Sequence, residues 1–357
     1  MNHEQEQLFD DNLVHTILDE LEGEVRDESP APPAQSGAAR PLQMIFRIRE
    51  ISVLGATVLL FVLLSLATPL FVQLENLLLV ARQISILTII AIGMTFLFIS
   101  REIDLSVGSL YGFLVVFLAT LIAKISFNPW LAMVIAVILG ACIGLLSGLV
   151  TTRAGISSFI VTLGMLSILR GAALLLTGGW PVLIRLPEGH SFLNLTAGHV
   201  GGLVPTQIFW MAGLLLLAGF VLSKTRFGAH VYATGGNEEA AIFTGIPTKR
   251  VKTICFAMTG ALCGIAAALL LGQVKSGFPL TGQAFELDII AAVVIGGTPL
   301  FGGAGSILGT LMGAAITGMI TNGLVLLGAS AYFEPVAKGS IIVAAVLADV
   351  LIRRKRT

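Results

Sequence analysis

Apolar runs of about twenty residues recur along this chain from residue 51 onward, separated by short polar breaks. A helix needs about 20 apolar residues to cross the hydrocarbon of a bilayer, so each run predicts a membrane-spanning helix. The runs fall near 51–72, 78–100, 105–123, 129–150, 156–178, 208–223, 251–272, 286–301, 305–328 and 335–352. The expected fold is all-α: a polytopic transmembrane helical bundle of about ten spans behind a polar N-terminal tail. Ser100–Asp104 interrupts an otherwise continuous run between the second and third spans, and the eighth is short and Gly-rich.

Composition agrees with this pattern. The chain is 55% hydrophobic and 12% charged, whereas soluble domains carry roughly 25% charged residues. A soluble core has no room for this much apolar surface. Formal net charge is +0, but it is unevenly spread. Glu4, Glu6, Asp10, Asp11, Asp19, Glu20, Glu22, Glu24, Asp27 and Glu28 crowd the start, and Arg353, Arg354, Lys355 and Arg356 the end. Residues 1–45 thus read as an acidic tail and linker, with "SPAPPAQSGAAR" (29–40) the linker by composition. Residues 46–357 form the transmembrane domain. Leu13, Val14, Ile17, Leu18 and Leu21 suit one face of a short helix, so a disordered tail and a docking helix both stay open. Cys142, Cys255 and Cys263 sit in apolar runs without metal or redox spacing and read as small buried hydrophobes.

Loop charges orient the spans, because cytoplasmic loops carry an excess of Lys and Arg. With the N-terminus inside, the inner segments collect Arg40, Arg47, Arg49, Arg101, Arg153, Lys224, Arg226, Lys249, Arg250, Lys252 and the terminal cluster. The outer ones collect Lys124, Arg185, Lys275 and Lys338. Both termini and the loop 224–250 are therefore expected in the cytoplasm, and 179–207 outside.

Within that loop, "GGNEEAAIFTGIP" (235–247) predicts a short helix capped at both ends. Asn237 is a good N-cap, and Glu238 and Glu239 meet the positive end of the helix dipole. Gly245 suits the left-handed C-terminal position, and Pro247 forbids continuation. Between the caps stand Ala240, Ala241, Ile242 and Phe243, apolar residues with little reason to face water. The stretch reads either as a knob for a partner's groove or as a surface helix resting on the membrane.

Glu239-Ala240-Ala241, three residues, then Gly245 resembles the EAA-x-x-x-G loop of the membrane subunits of ABC importers. "TRFGAHVYATGGNEEAAIFTGI" (225–246), "IDLSVGSL" (103–110), "FIVTLGMLSILRG" (159–171) and "GGAGSILGTLMGA" (302–314), followed by Asn322-Gly323, resemble more narrowly the ribose/xylose/arabinose-type sugar permeases. The resemblance runs from about residue 50 to the end. It implies a permease subunit of an ATP-driven importer of a sugar or sugar-like solute in the cytoplasmic (inner) membrane. It further implies a separate ABC ATPase subunit, carrying the ATP and Mg, that docks on Asn237, Glu238, Glu239, Ala240, Ala241 and Gly245. An extracytoplasmic solute-binding protein and a second permease chain, identical or closely related, are the other implied partners. The family often has Gly-Gly where Arg101-Glu102 stand here, and basic residues where Ala229 and Ile242 stand. No G-x-x-x-x-G-K-[ST] loop occurs, so nucleotide is expected on another chain. No cofactor, metal or nucleic acid is expected on this one.

Polar groups inside the spans are the candidates for the solute path. Asp104 reads either as an N-cap for a helix starting at Leu105 or as a polar lining beside Ser106 and Ser109. Arg170 lies deep in the fifth span, to snorkel, to pair with a carbonyl or to face a hydrated cavity. Arg82 and Gln83 carry the same ambiguity. Thr321 and Asn322 offer uncharged hydrogen bonds, useful to a neutral sugar and equally to helix association. The pathway candidates are thus Ser106, Ser109, Arg170, Thr321 and Asn322.

The alternative is an ion-coupled secondary transporter acting without an ATPase. It wants intramembrane acids, and Asp104, Asp288, Glu334 and Asp349 all fall near expected span ends. A membrane enzyme is disfavoured, because His3, His15, His190, His199 and His230 lie in tails or loops and H-E-x-x-H and G-x-S-x-G are absent.

Overall fold

The computed structural model describes residues 39–330 and single positions beyond them up to 340, with side chains from Ile51 onward. By contacts the chain separates into two units, Met1–Arg47 and Ile48–Thr357, and the apolar helices lie in the second. Residues 1–38 of the acidic tail and linker, and the tenth expected span but for single positions, lie outside the described residues.

The helices in chain order are α1 (Ala39–Ala67), α2 (Leu74–Ile99), α3 (Val107–Lys124), α4 (Pro129–Ala154) and α5 (Ser158–Thr177). They continue with α6 (Ser191–Ala197), α7 (Thr206–Lys224), α8 (Arg226–Gly236), α9 (Glu238–Phe243), α10 (Thr248–Val274), α11 (Phe285–Ile295) and α12 (Ile307–Leu326). Four two-residue strands make two antiparallel ribbons: β1 (Val182–Leu183) with β4 (Ser276–Gly277), and β2 (His199–Val200) with β3 (Val204–Pro205). Among the described residues, seven helices are long and apolar enough to cross a membrane: α2, α3, α4, α5, α7, α10 and α12. The apolar stretch of α1, Ile51–Ala67, is shorter.

Local chemistry sets the helix ends. Asn128 accepts hydrogen bonds from the Trp130 and Leu131 amides ahead of Pro129, so α4 starts with a cap and a pre-set φ. Gly155 ends the same helix in the left-handed conformation at φ 69°. Ser306 accepts from the Gly309 amide and starts α12.

The most apolar burial is central. The membrane-length stretch of α2 is 67% buried, against 17% for α5 and for α7, which therefore lie at the periphery of the chain. α10 packs most extensively on α4, through glycines. A Cβ on Gly140 would strike the Gly260 carbonyl, and one on Gly260 would strike the Gly140 carbonyl. Such backbone contact is how helices associate where lipid removes the hydrophobic drive.

The eighth expected span, 286–301, is a different object. Its helix, α11, has 11 residues, about 16 Å at 1.5 Å per residue, or half a hydrocarbon core. Gly297 at φ 88° and Pro299 stop it, and the chain stays irregular until α12. Before α11, residues 278–284 run without helix against α3: a Cβ on Gly112 would meet the Thr281 carbonyl, and one on Gly282 the Gly108 carbonyl. Gly282 (φ 73°) and Ala284 (φ 60°) turn the chain there. An average over hydropathy cannot tell the irregular 296–301 stretch from helix.

Candidate functional site

Two places concentrate polar chemistry among the described residues, toward opposite ends of α2, α10 and α12. The first is built around α9. Asn237 caps it, its side chain accepting from the Ala240 amide at 3.0 Å. At the other end the Gly245 amide donates to the Ile242 carbonyl at 2.9 Å and the Ile246 amide to that of Ala241 at 3.0 Å. Gly245 stands at φ 84°, so this is a Schellman closure that a β-carbon would strain. Ala241 is the buried anchor, while Ala240 is exposed. Phe243 is 91% exposed, Ile242 55%, and Glu239 is exposed beside them.

Glu238 turns inward instead. Lys252 Nζ, on the first turns of α10, reaches Glu238 Oε2 at 2.8 Å and Glu102 Oε1 at 2.9 Å. The Lys252 and Glu102 side chains are each 11% exposed, so this bridge is largely out of water. Arg101 completes the junction: its Nε donates to the Phe301 carbonyl and its Nη2 to that of Gly236, both at 2.8 Å. The Gly303 amide donates to the Ile99 carbonyl at 2.9 Å, and the Tyr232 hydroxyl to that of Gly305 at 2.7 Å.

The second place is a cavity of about 280 Å³, at the small end for ligand pockets. Its polar lining is Gln83 of α2, Tyr111 of α3, Gln273 of α10, Asp288 of α11, and Thr317 and Thr321 of α12. Tyr111 and Phe285 form an aromatic pair with ring centroids 5.6 Å apart. Gln83, Gln273 and Thr321 lie toward the ends of α2, α10 and α12 that are remote from α9.

α5 holds two irregular segments, the one before α3 and the one before α11. Thr162 Oγ1 accepts from the Leu105 amide at 3.0 Å and Ser158 Oγ from the Ile103 amide at 3.4 Å. Further along, Arg170 Nη1 donates to the carbonyls of Thr281 at 2.8 Å and Pro279 at 3.1 Å. Non-helical backbone at membrane depth requires such partners, and one otherwise exposed helix supplies them.

Each of the pathway candidates therefore has a definite place. Thr321 lines the cavity. Arg170 braces the 279–281 segment. Ser109 Oγ is buried without a hydrogen-bond partner in the protein, as are Glu286 Oε2 and Gln273 Oε1. Ser106 donates its hydroxyl to Asp104 Oδ1 at 2.6 Å, and its amide donates to the same oxygen at 2.8 Å. Asp104 thus closes a turn before α3, which starts two residues later than the cap reading expects. Asn322 exchanges amide hydrogen bonds with Asn76, at 2.8 and 3.1 Å, and joins α12 to the start of α2. Tyr111, Gln273, Phe285 and Glu286 escaped the sequence reading; a glutamate beside an apolar run was the available signal for the last.

Comparison with known proteins completes the site. The family described as branched-chain amino acid transport system / permease component matches residues 76–348. The ribose import permease protein RbsC of Escherichia coli K12 is 39% identical over 295 residues, 82% of this chain and 91% of its own. The L-arabinose ABC transporter permease protein AraH of Azospirillum brasilense is 33% identical over 334 residues, 92% of this chain and 96% of its own. The autoinducer 2 import system permease protein LsrC of Photorhabdus luminescens is 34% identical over 310 residues, covering 86% and 92%. No solved structure matches. The chain belongs to this family of transport permease components and is a transport subunit, not an enzyme.

Proposed function

We propose that this chain is the membrane-spanning subunit of an ATP-driven importer for a neutral sugar or sugar-like solute. α9 is the seat of a separate ATPase subunit that carries ATP and Mg. The observation that carries this reading is the form of α9: a rigidly capped helix too short to cross anything, presenting Phe243 and Glu239 outward and anchored beneath by Ala241. A small knob with a charged leading edge suits a groove in a partner. Two such chains would form the path, with a solute-binding protein on the far face.

Topology follows from the same reading. The irregular 278–284 segment and α11 together make one crossing, so α1, α2, α3, α4, α5, α7, α10, this composite and α12 give nine, and the apolar run 335–352 of the sequence would bring the count to about ten. Both termini and α9 then lie in the cytoplasm, in agreement with the basic residues of those segments. The cavity, remote from α9, lies toward the outer half. Its amides, hydroxyls and carboxylate suit sugar hydroxyls, and the Tyr111–Phe285 pair offers an apolar face to sugar C–H groups. Two carboxylates nearby, Asp288 and Glu286, disfavour an anionic solute.

The test is co-purification of the cognate ATPase with Glu239→Lys and Gly245→Trp chains, together with uptake of labelled ribose and arabinose. Loss of the ATPase and of any wild-type uptake, with the chain still inserted, is expected. A wild-type complement of ATPase in both variants would sink the docking role.

A further inference from the structure

Of the helices that line the cavity, α2, α10, α11 and α12 meet the charged junction or its Phe301 loop at their other ends, and α3 meets it at the end that bears Tyr111. Gln83, Tyr111, Gln273, Asp288 and Thr321 come from α2, α3, α10, α11 and α12. At the α9 side, Arg101 and Glu102 occupy the turn between α2 and α3, and Lys252 sits on α10. Phe301, whose carbonyl Arg101 holds, lies in the loop between α11 and α12.

The junction is closed chemically. Lys252 is shared by Glu102 and Glu238, so α9 is tied to the α2–α3 turn and to α10 through one ammonium. Arg101 grips the last carbonyl of α8, adjacent to the α9 cap, and the carbonyl of Phe301. Its backbone stands at φ 64°, a conformation non-glycine residues rarely adopt. The fold keeps a side chain at a position where backbone ease favours glycine, and that side chain makes both bonds. Two cations and two carboxylates balance, so the cluster has the composition of a rigid strut.

We infer that Arg101, Glu102 and Lys252 are positioning residues that carry motion of α9 into the five cavity-lining helices. The inference rests on α9 being the ATPase seat. A displacement of α9 pulls Glu238, hence Lys252 and Glu102, while Gly236 pulls Arg101 and the Phe301 loop. Helices are stiff, so a shift at one end reaches the cavity at the other. Without the junction the ATPase would still bind α9, but the cavity would no longer respond.

The experiment uses the full complex in proteoliposomes, with Cys142→Ser to remove the exposed thiol and Thr321→Cys as a reporter in the cavity. Labelling by a membrane-impermeant maleimide is timed in ADP and after vanadate trapping with ATP, so no solute need be known. With the junction intact, trapping is expected to change the labelling rate at least about fivefold. In Lys252→Met that change should shrink to under about twofold while the ATPase co-purifies, and Lys252→Arg should restore it. Arg101→Ala, on an exposed side chain, should weaken the change in the same direction and decides the matter if Lys252→Met does not accumulate. A full nucleotide response in Lys252→Met and Arg101→Ala overturns the inference and leaves docking intact. A Glu239→Lys chain that keeps both the ATPase and the response removes the docking reading, and this inference with it.

Discussion

The α9 junction and the cavity are both polar islands in an apolar bundle, yet they are finished differently. At the junction each cation holds two acceptors: Lys252 two carboxylates, Arg101 two carbonyls. In the lining of the cavity, Gln273 keeps a buried oxygen without a partner in the protein. Buried polar groups are almost always satisfied. A saturated cluster resists rearrangement, whereas an unsatisfied one has hydrogen bonds left for something else. The contrast suits one region for transmitting force and the other for receiving a guest.

Breaking the saturated side should have the largest effect on stability. Lys252→Met leaves the largely buried Glu102 facing the partly exposed Glu238, and removing one partner of a buried pair costs about 3–5 kcal/mol. Unfolding in detergent should register a loss at the lower end, because Glu238 is partly exposed. Arg170→Met comes next. It strips the Pro279 and Thr281 carbonyls of their donor, for an expected loss of about 3 kcal/mol and protease sensitivity in the 278–284 segment. Gln273→Ala sharpens the other side of the contrast. Its Oε1 already lacks a partner, so the melting temperature should hold while solute uptake falls about tenfold, equivalent to about 1.4 kcal/mol. Asn322→Ala should matter least, about 0.6 kcal/mol of stability with transport retained, because interhelical amide pairs in membranes are weak.

Much of the scaffold was legible from apolar runs and caps. Most expected spans lie within a few residues of observed helices, because a long apolar run flanked by polar breaks has one economical solution in lipid. The caps of α9 were equally readable, since Asn237, Gly245 and Pro247 act on their own neighbours. The early stop of α11 was not, because 289–301 is largely apolar whether helical or unwound. Nor was the site: Lys252 finds Glu102 and Glu238 across three elements, and Arg170 finds carbonyls that only a non-helical Thr281 could expose. Pairings between distant segments leave no local trace. Asn322 illustrates the converse, a polar residue at the right depth whose partner turned out to be another helix.

The central claim is that an ATPase engages α9 through its exposed face. The direct measurement is photocrosslinking from position 243 of the full chain, carrying p-benzoylphenylalanine in place of Phe243, in membranes that contain the cognate ATPase. Phe243 is 91% exposed, so the probe should replace it without disturbing the bundle. A crosslink to the ATPase chain that disappears with Glu239→Lys is the expected result. Crosslinks to lipid or to this chain alone, with the ATPase present, would contradict it.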